Sequence, residues 1–284
     1  MSNMTYSIIE RSCNKILVGK TYWEMVIIPS LLFASAVINW NKTELDTLQR
    51  SEDGVWRKIL GAPGYTPLVA MRGDLGVSTI IARDLKSKLK YIQHVFKSEN
   101  ELLEKILIKV IENKHPYGKR ILRYMEMVNV SQIIELRSMS EREVSKRVDE
   151  WVHGEWRSEI NEKSTLAIYR NFKQQRKEEG FCNNTMESVL LFKARSNCLK
   201  LNWRNRFLGG DIGCKLCGER EETLEHFLLE CPGYREERME FNMIDVEIKR
   251  MLGFESYEMG NTKRFLKKIW FKRKNFIDAG NRID

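Results

Sequence analysis

Three cysteines and a histidine lie close together in the sequence, and their spacing suits a metal site. Cys214, Cys217, His226 and Cys231 form the pattern C-x2-C-x8-H-x4-C. Three thiolates and a neutral imidazole are typical ligands of a structural Zn²⁺ ion, because together they fill its tetrahedral shell. No coordination position then remains for a reactive water. The spacing therefore predicts a Zn²⁺ ion that holds shape and performs no catalysis.

The residues around these ligands favour the same interpretation. Gly218 follows the second cysteine, where a tight turn often needs a positive φ angle. Thr223 is placed to cap a short helix that carries His226 and ends before Pro232. The alternative is a chance grouping in a chain with 6 cysteines and 4 histidines. Two short ligand spacings are more specific than isolated residues, so the metal site is the favoured hypothesis.

Length, charge and cysteine usage bound the class of protein. A chain of 284 residues is long enough for one large domain or two modest ones. The formal net charge of +9 favours an anionic partner, most simply RNA or DNA, although a basic surface also serves solubility. Cys13, Cys182 and Cys198 are scattered without a disulfide framework. This usage predicts a reducing, intracellular setting in the cytoplasm or the nucleus.

Most of the chain has the pattern of α-helices. Capping-box patterns at Asn41, Ser98 and Ser140 each precede apolar residues spaced three and four apart. Alternation of apolar and polar residues, which marks strands, is almost absent. Residues 25–38 are the most apolar run, but they contain Pro29 and are too few to span a bilayer. The sequence thus predicts a mainly α fold with a buried helix at residues 25–38 and no membrane partner.

Basic residues concentrate in two places that could contact phosphates. One lies around the predicted ligands, and the other is a basic amphipathic helix predicted at residues 261–277. That helix could follow a phosphate backbone, meet an anionic membrane, or pack its apolar face with solvated charges. We predict nucleic-acid contacts from both places. The candidate residues are Lys200, Trp203, Arg204, Arg206, Lys215, Arg220, Lys263, Arg264, Lys267 and Lys268.

The sequence offers no convincing catalytic group. Glu247-x-Lys249 is the one fragment after the predicted metal site that suggests a nuclease centre, and it lacks a nearby Pro-Asp partner. Such triplets are expected by chance in a helix rich in Glu and Lys. Gly-rich phosphate loops and Ser/His/Asp arrangements do not stand out either. We therefore predict no catalytic residues in this chain.

Two separated stretches carry a series of short motifs. The motifs of residues 14–96 are Lys20-x-x-Trp23, Ile28-Pro29-Ser30-Leu31-Leu32-Phe33, Leu48-Gln49-Arg50, Trp56-Arg57-Lys58-Ile59-Leu60-Gly61, Tyr65-Thr66-Pro67 and Arg72-Gly73-Asp74-Leu75-Gly76. The motifs of residues 190–238 are Ala194-Arg195, Arg206, Glu222-Thr223-x-x-His226 and Cys231-Pro232-x-Tyr234. Both stretches resemble the C-terminal part of reverse transcriptases from non-LTR (LINE-type) retrotransposons, including jockey-like elements.

The resemblance implies an order of regions and a function. In that family a helical thumb follows the catalytic palm, and a helical connector leads to a Cys-Cys-His-Cys zinc knuckle. Here it implies a thumb-like region at 1–97, a helical connector at 98–185, a zinc-binding knuckle region at 186–240 and basic amphipathic C-terminal helices at 241–284. The thumb would lie along the minor groove of a duplex, and the knuckle would hold element RNA or target DNA.

The polymerase motif of the family is missing from this sequence. The palm needs a Tyr/Phe-x-Asp-Asp hairpin because two metal ions must bridge the reacting phosphates and the primer hydroxyl. Adjacent Asp residues do not occur in the chain. We therefore expect a fragment or domesticated remnant that does not polymerise DNA alone. A further hypothesis is that it acts as a polymerase together with a separate palm and fingers. The alternative of another class is a zinc-stapled helical scaffold for protein interactions with no nucleic-acid role.

Overall fold

Helices form nearly all of the regular structure, as the spacing of apolar residues predicts. The computed structural model describes residues 10–183, 185–218, 221–254 and 259–280. Within these ranges the β geometry is an isolated antiparallel bridge between Gly213 and Glu221. The α-helices are α1 (Lys15–Tyr22), α2 (Ile28–Leu31), α3 (Lys42–Ile59), α4 (Leu68–Leu75), α5 (Ile80–Lys97), α6 (Glu101–Glu112), α7 (Pro116–Met127), α8 (Ile133–Ser138), α9 (Glu141–Asn161), α10 (Ala167–Phe172), α11 (Met186–Arg195), α12 (Arg235–Glu240), α13 (Ile248–Met251) and α14 (Met259–Gly280). The prediction of a mainly α fold is confirmed.

Two of the three predicted capping boxes are present. Asn41 caps α3 together with Glu44, and Ser140 caps α9 together with Glu143. The box predicted at Ser98 is wrong, because Ser98 ends α5 and its hydroxyl donates to the carbonyl of Val95. Helix α6 is capped instead by Asn100, whose side chain accepts from the backbone of Leu103. The apolar periodicity located the helix, whereas the choice of cap depended on where α5 ended.

The apolar run at residues 25–38 is only partly a buried helix. A π-helical turn at Trp23–Ile27 joins α1 to α2, which ends at Leu31. This wider turn accommodates Pro29, which has no N–H to donate to the preceding turn. Trp23 is buried, but the exposed fraction of Met25 is 72% and that of Phe33 is 80%. The prediction of a buried helix over the whole run is therefore wrong, because only one stripe of it meets the core.

Membrane crossing requires a long apolar helix. None of the helices in the described ranges combines the necessary length with the necessary apolar character.

Buried apolar side chains form three clusters. The largest joins side chains from residues 16–80 with side chains from residues 181–269. A second cluster lies among α5, α6, α7, α8 and α9, between residues 82 and 152. A small third cluster includes Val69 on α4 and Trp156 on α9. The largest core thus draws on residues from all four predicted regions, with Phe181 as the buried member from the second. The division into four regions stays a prediction.

A buried ionic network joins the two stretches that carry the family-like motifs. Asp74 on α4 and Arg195 on α11 are almost fully buried. Arg195 Nε donates to Asp74 Oδ2 at 3.2 Å, and Arg195 Nη2 donates to Asp74 Oδ1 at 3.2 Å. Tyr169 also donates to Asp74 Oδ1 at 2.9 Å. Motif residues that are far apart in sequence therefore meet in one fully desolvated contact.

Candidate metal centre

The four residues with ligand spacing converge on one point. All four ligand atoms lie within 4.8 Å of one another. Cys214 Sγ and Cys231 Sγ are 3.7 Å apart, and Cys217 Sγ is 3.4 Å from His226 Nε2. Metal–ligand bonds of about 2.3 Å to sulfur and about 2.0 Å to nitrogen in a tetrahedral shell place two sulfurs about 3.8 Å apart and sulfur and nitrogen about 3.5 Å apart. The observed distances match, so the residues present fit a tetrahedral metal ion.

A tight turn presents the first two sulfurs. The backbone N–H of Gly218 donates to the carbonyl of Cys214 at 2.8 Å, and Gly218 has a φ angle of +73°. Glycine adopts this left-handed region without the steric penalty of a Cβ atom. The bridge between Gly213 and Glu221 closes the two ends of the loop that contains this turn. The prediction of a positive φ angle at Gly218 is confirmed.

A π-helical turn presents the other two ligands. Thr223 Oγ1 accepts from the backbone N–H of His226 at 3.1 Å, which confirms Thr223 as the cap. The turn runs over His226–Glu230, and the N–H of Cys231 donates to the carbonyl of His226 at 2.8 Å. In an α-helix, residues five apart point about 140° away from each other around the axis. The wider turn brings His226 and Cys231 back to one side.

Backbone donors surround the sulfurs and favour thiolates. The N–H groups of Leu216 and Cys217 donate to Cys214, and the N–H of Gly233 donates to Cys231. The hydrogen bond from the Cys231 thiol lowers the pKa of Cys214 to about 4. The same hydrogen bond, together with burial, raises the pKa of Cys231. The two sulfurs thus share one proton, which a cation bound between them displaces.

The ring nitrogen of His226 that faces away from the sulfurs is buried. His226 Nδ1 has no hydrogen-bond partner in the described part of the chain. Glu230 lies one turn later and places Oε2 3.9 Å from this nitrogen. A histidine that binds metal through Nε2 carries its proton on Nδ1, and a nearby carboxylate commonly orients that N–H. This arrangement assigns Nε2 as the ligand atom.

The metal-binding segment, defined as residues 214–231 with the four candidate ligands, is anchored to the core by a buried ion pair that the sequence did not predict. Glu222 is almost fully buried, and both of its oxygens accept from the guanidinium of Arg273 on α14 at 2.5 Å. Asn202 donates its backbone N–H to Glu222 Oε2 at 2.6 Å and its amide to the carbonyl of Gly213 at 2.8 Å. Glu222 belongs to a family-like motif, but nothing local in the sequence indicates Arg273 as its partner.

Aromatic contacts reinforce this anchoring. The ring of Phe227 packs edge to face on Tyr234 at 5.2 Å and on Trp270 of α14 at 6.3 Å between centroids. Cys214 and Cys231 are themselves members of the largest apolar cluster. The metal-binding segment is therefore part of the main core and does not stand apart as an independent finger.

Four of the predicted phosphate-contacting cations have carboxylate partners within the chain. Exposed ion pairs of this kind stabilise a fold by only about 0–1 kcal/mol, yet each lowers the local positive charge. The pairs are Arg206–Glu221 at 3.0 Å, Lys215–Asp211 at 2.5 Å, Lys267–Glu187 at 2.7 Å and Lys268–Glu240.

The other predicted contacts have varied surroundings. Trp203 is half-buried beside Phe207, the guanidinium of Arg204 stacks 3.9 Å from the ring centre of Tyr65, and Lys200 is exposed. On α14, Lys263 donates to the carbonyl of Phe181 at 3.0 Å, and Arg264 donates to the amide oxygen of Asn261 at 2.6 Å. Arg220 lies outside the described residues. Nucleic-acid contact by these residues stays a prediction.

Replacing Gly218 with alanine isolates the contribution of the left-handed turn. A Cβ atom at Gly218 has no heavy atom within 4 Å, so the substitution adds backbone strain without a clash. The expected cost of about 1 kcal/mol corresponds to about fivefold weaker metal binding. Competition against a chromophoric chelator measures it. Gly64→Ala is the matched control, because Gly64 also has open space and no positive φ angle. Equal affinities for both variants would contradict a strained turn.

Comparisons with protein-family models, curated proteins and solved structures find no match for this chain.

Proposed function

We propose that the metal is Zn²⁺ and that its role is to hold shape. The convergence of four ligand atoms within 4.8 Å is the observation that carries this assignment. Thiolate and imidazole donors favour Zn²⁺ over the hard cations Mg²⁺ and Ca²⁺, which prefer oxygen ligands. Four protein ligands close the coordination shell, so the ion would contribute folding free energy instead of activating water.

We propose further that the zinc-stapled helical fold binds RNA or DNA, as its resemblance to the C-terminal part of a LINE-type reverse transcriptase implies. The net charge of +9 supports a polyanionic partner. The contact between Asp74 and Arg195 supports the resemblance, because it joins a motif of the first stretch to a motif of the second in one buried ion pair. In this proposal the 284 residues contribute binding and no adjacent pair of palm Asp residues.

The rival hypothesis is a zinc-stapled scaffold that binds protein partners and leaves nucleic acid alone. The internal ion pairs of Lys267 and Lys268 favour it, because they reduce the charge that α14 offers to phosphates. Binding and its dependence on salt separate the two hypotheses, since phosphate contacts release counterions and protein contacts need not.

A mobility-shift titration with single-stranded RNA is the test of nucleic-acid binding. We expect the zinc-loaded chain to bind, and the logarithm of affinity to fall linearly with the logarithm of salt concentration between about 50 and 200 mM. The slope is expected to be about −0.7 for each phosphate contact. A matching duplex DNA shows which nucleic acid is preferred. Absence of binding at low salt, or binding that ignores salt, would favour the scaffold. Long primer-extension products from this chain alone would contradict the non-catalytic role.

A further inference from the structure

A basic cleft lies between the N-terminal turn of α3 and one face of α7, remote in sequence from the metal centre. Its volume is about 640 Å³, within the range of about 300–1,000 Å³ typical of ligand sites. The charged residues that line this cleft are Lys42, Asp46, Lys119, Arg120 and Arg123. Four cations therefore face one carboxylate. None of these residues was among the nucleic-acid contacts predicted from the sequence.

The cations of this cleft differ from those of α14 in what surrounds them. Lys42, Lys119 and Arg123 are exposed, and no carboxylate of the described residues lies within 4.0 Å of their charged nitrogens. On α14, by contrast, Lys267 and Lys268 each contact a glutamate. The positive charge of the cleft is thus less compensated than that of Lys267 and Lys268, and uncompensated positive charge attracts a polyanion.

The remaining cation of the cleft is held in place before any ligand arrives. Arg120 is half-buried, and its Nε donates to Asn39 Oδ1 at 3.2 Å while its Nη1 contacts the hydroxyl of Tyr124 at 3.4 Å. Tyr124 in turn donates to Asp84 Oδ2 at 2.6 Å, and Asp84 is fully buried. A guanidinium with a fixed position loses little conformational entropy when it binds an oxyanion.

The direction of α7 adds to the positive potential. The helix begins at Pro116, which also lines the cleft, and its first turn holds no acidic residue. The positive end of the helix dipole therefore acts together with Lys119 and Arg120, which follow within two turns. The planar fork of Arg120 and Arg123 suits phosphate oxygens better than a point charge does.

From these contacts we infer that the cleft between α3 and α7 binds the sugar–phosphate backbone of a nucleic acid. This inference rests on the proposed nucleic-acid function and deepens it, because it moves the main phosphate contacts from the metal centre and α14 to residues in the first half of the sequence. RNA and DNA share this chemistry, and a paired set of probes distinguishes them.

The test compares two double variants that each remove two cations. Lys119→Ala/Arg123→Ala alters the cleft, and Lys267→Ala/Lys268→Ala alters α14. Both pairs are exposed, so neither variant is expected to change stability by more than about 0.5 kcal/mol for each substitution. Circular dichroism and thermal melting establish that each zinc-loaded variant folds like the parent chain. Fluorescence anisotropy with single-stranded RNA and with duplex DNA of the same sequence measures affinity at several salt concentrations.

We expect the cleft variant to bind at least about tenfold more weakly than the parent at low salt, with the salt slope on RNA reduced by about 1.4 for two lost contacts. The α14 variant should lose less affinity than the cleft variant, because each of its two lysines already contacts a glutamate. Loss in the α14 variant alone, or equal loss in both, would overturn the inference while leaving the proposed function intact. Failure of the parent chain to bind either probe would contradict both the cleft inference and the proposed nucleic-acid function. Equal competition by poly-L-glutamate would show a general acidic-polymer site and overturn the assignment to nucleic acid.

Discussion

Removing the metal with a chelator is expected to abolish the cooperative thermal unfolding of this protein. Structural zinc supplies on the order of 10 kcal/mol in small modules, which is comparable to the whole stability of about 5–15 kcal/mol of an ordinary domain. The effect should spread beyond the metal-binding segment, because Cys214 and Cys231 belong to the same core as α1, α3 and α11. Differential scanning calorimetry with and without chelator, together with elemental analysis for zinc, measures the effect.

A ligand substitution provides the genetic version of the same experiment. Cys231→Ser should release the metal and abolish the cooperative transition as chelation does, because Cys231 is fully buried beside Cys214. Cys13→Ser is the control, since Cys13 is exposed and is not one of the four converging residues. A protein that melts identically before and after chelation, with no bound zinc, would show that the four residues pack together without a metal.

Breaking the contact between Asp74 and Arg195 is expected to be the most damaging change outside the metal centre. Arg195→Met keeps much of the side-chain volume but leaves the carboxylate of Asp74 buried with a weakened set of partners. It also removes the donor to the carbonyls of Leu252 and Gly253, and the guanidinium that stacks 3.9 Å from the ring centre of Phe254. Removing one partner of a buried ion pair typically costs about 3–5 kcal/mol. Urea denaturation of the zinc-loaded protein measures the loss.

The matched control is another arginine–carboxylate pair at the surface. Arg206 lies 3.0 Å from Glu221, and both side chains are about half exposed. Arg206→Met should therefore cost no more than about 1 kcal/mol. Similar losses for the two variants would contradict the central role given to the Asp74 network. A double-mutant cycle with Asp74→Asn would then apportion the coupling between the two residues.

The helices were the most predictable part of the fold, because their signals are local. The capping boxes at Asn41 and Ser140 and the periodic apolar residues behind them act over a few positions, and the structure contains both helices. A predicted cap was wrong where the neighbouring helix extended to the predicted capping residue. Ser98 has the residues of a capping box, yet α5 extends to Lys97 and Asn100 is left to cap α6. The buried stripe of residues 25–38 likewise depended on which side met the core.

The convergence of the four candidate metal ligands was predictable for a related reason. Its ligands lie within one short segment, so a tight turn and a helical turn are enough to bring their atoms together. The anchoring of that segment was not predictable, because Glu222 and Arg273 are separated by 51 positions. The basic cleft is a similar case, since Lys42 lies on α3 whereas Lys119 and Arg123 lie on α7. Charge counts along the sequence cannot show which cations face a carboxylate.

By itself, therefore, the sequence determined the helices and the identity of the four converging ligands, because both depend on residue types at short spacing. Tertiary structure decided that the metal-binding segment belongs to the main core and that Asp74 contacts Arg195. It also decided which cations lack a carboxylate partner. Those outcomes depend on long-range packing, in which distant segments compete to bury apolar surface and to pair each desolvated charge. Residue types at short spacing do not indicate which distant segments will pack or pair.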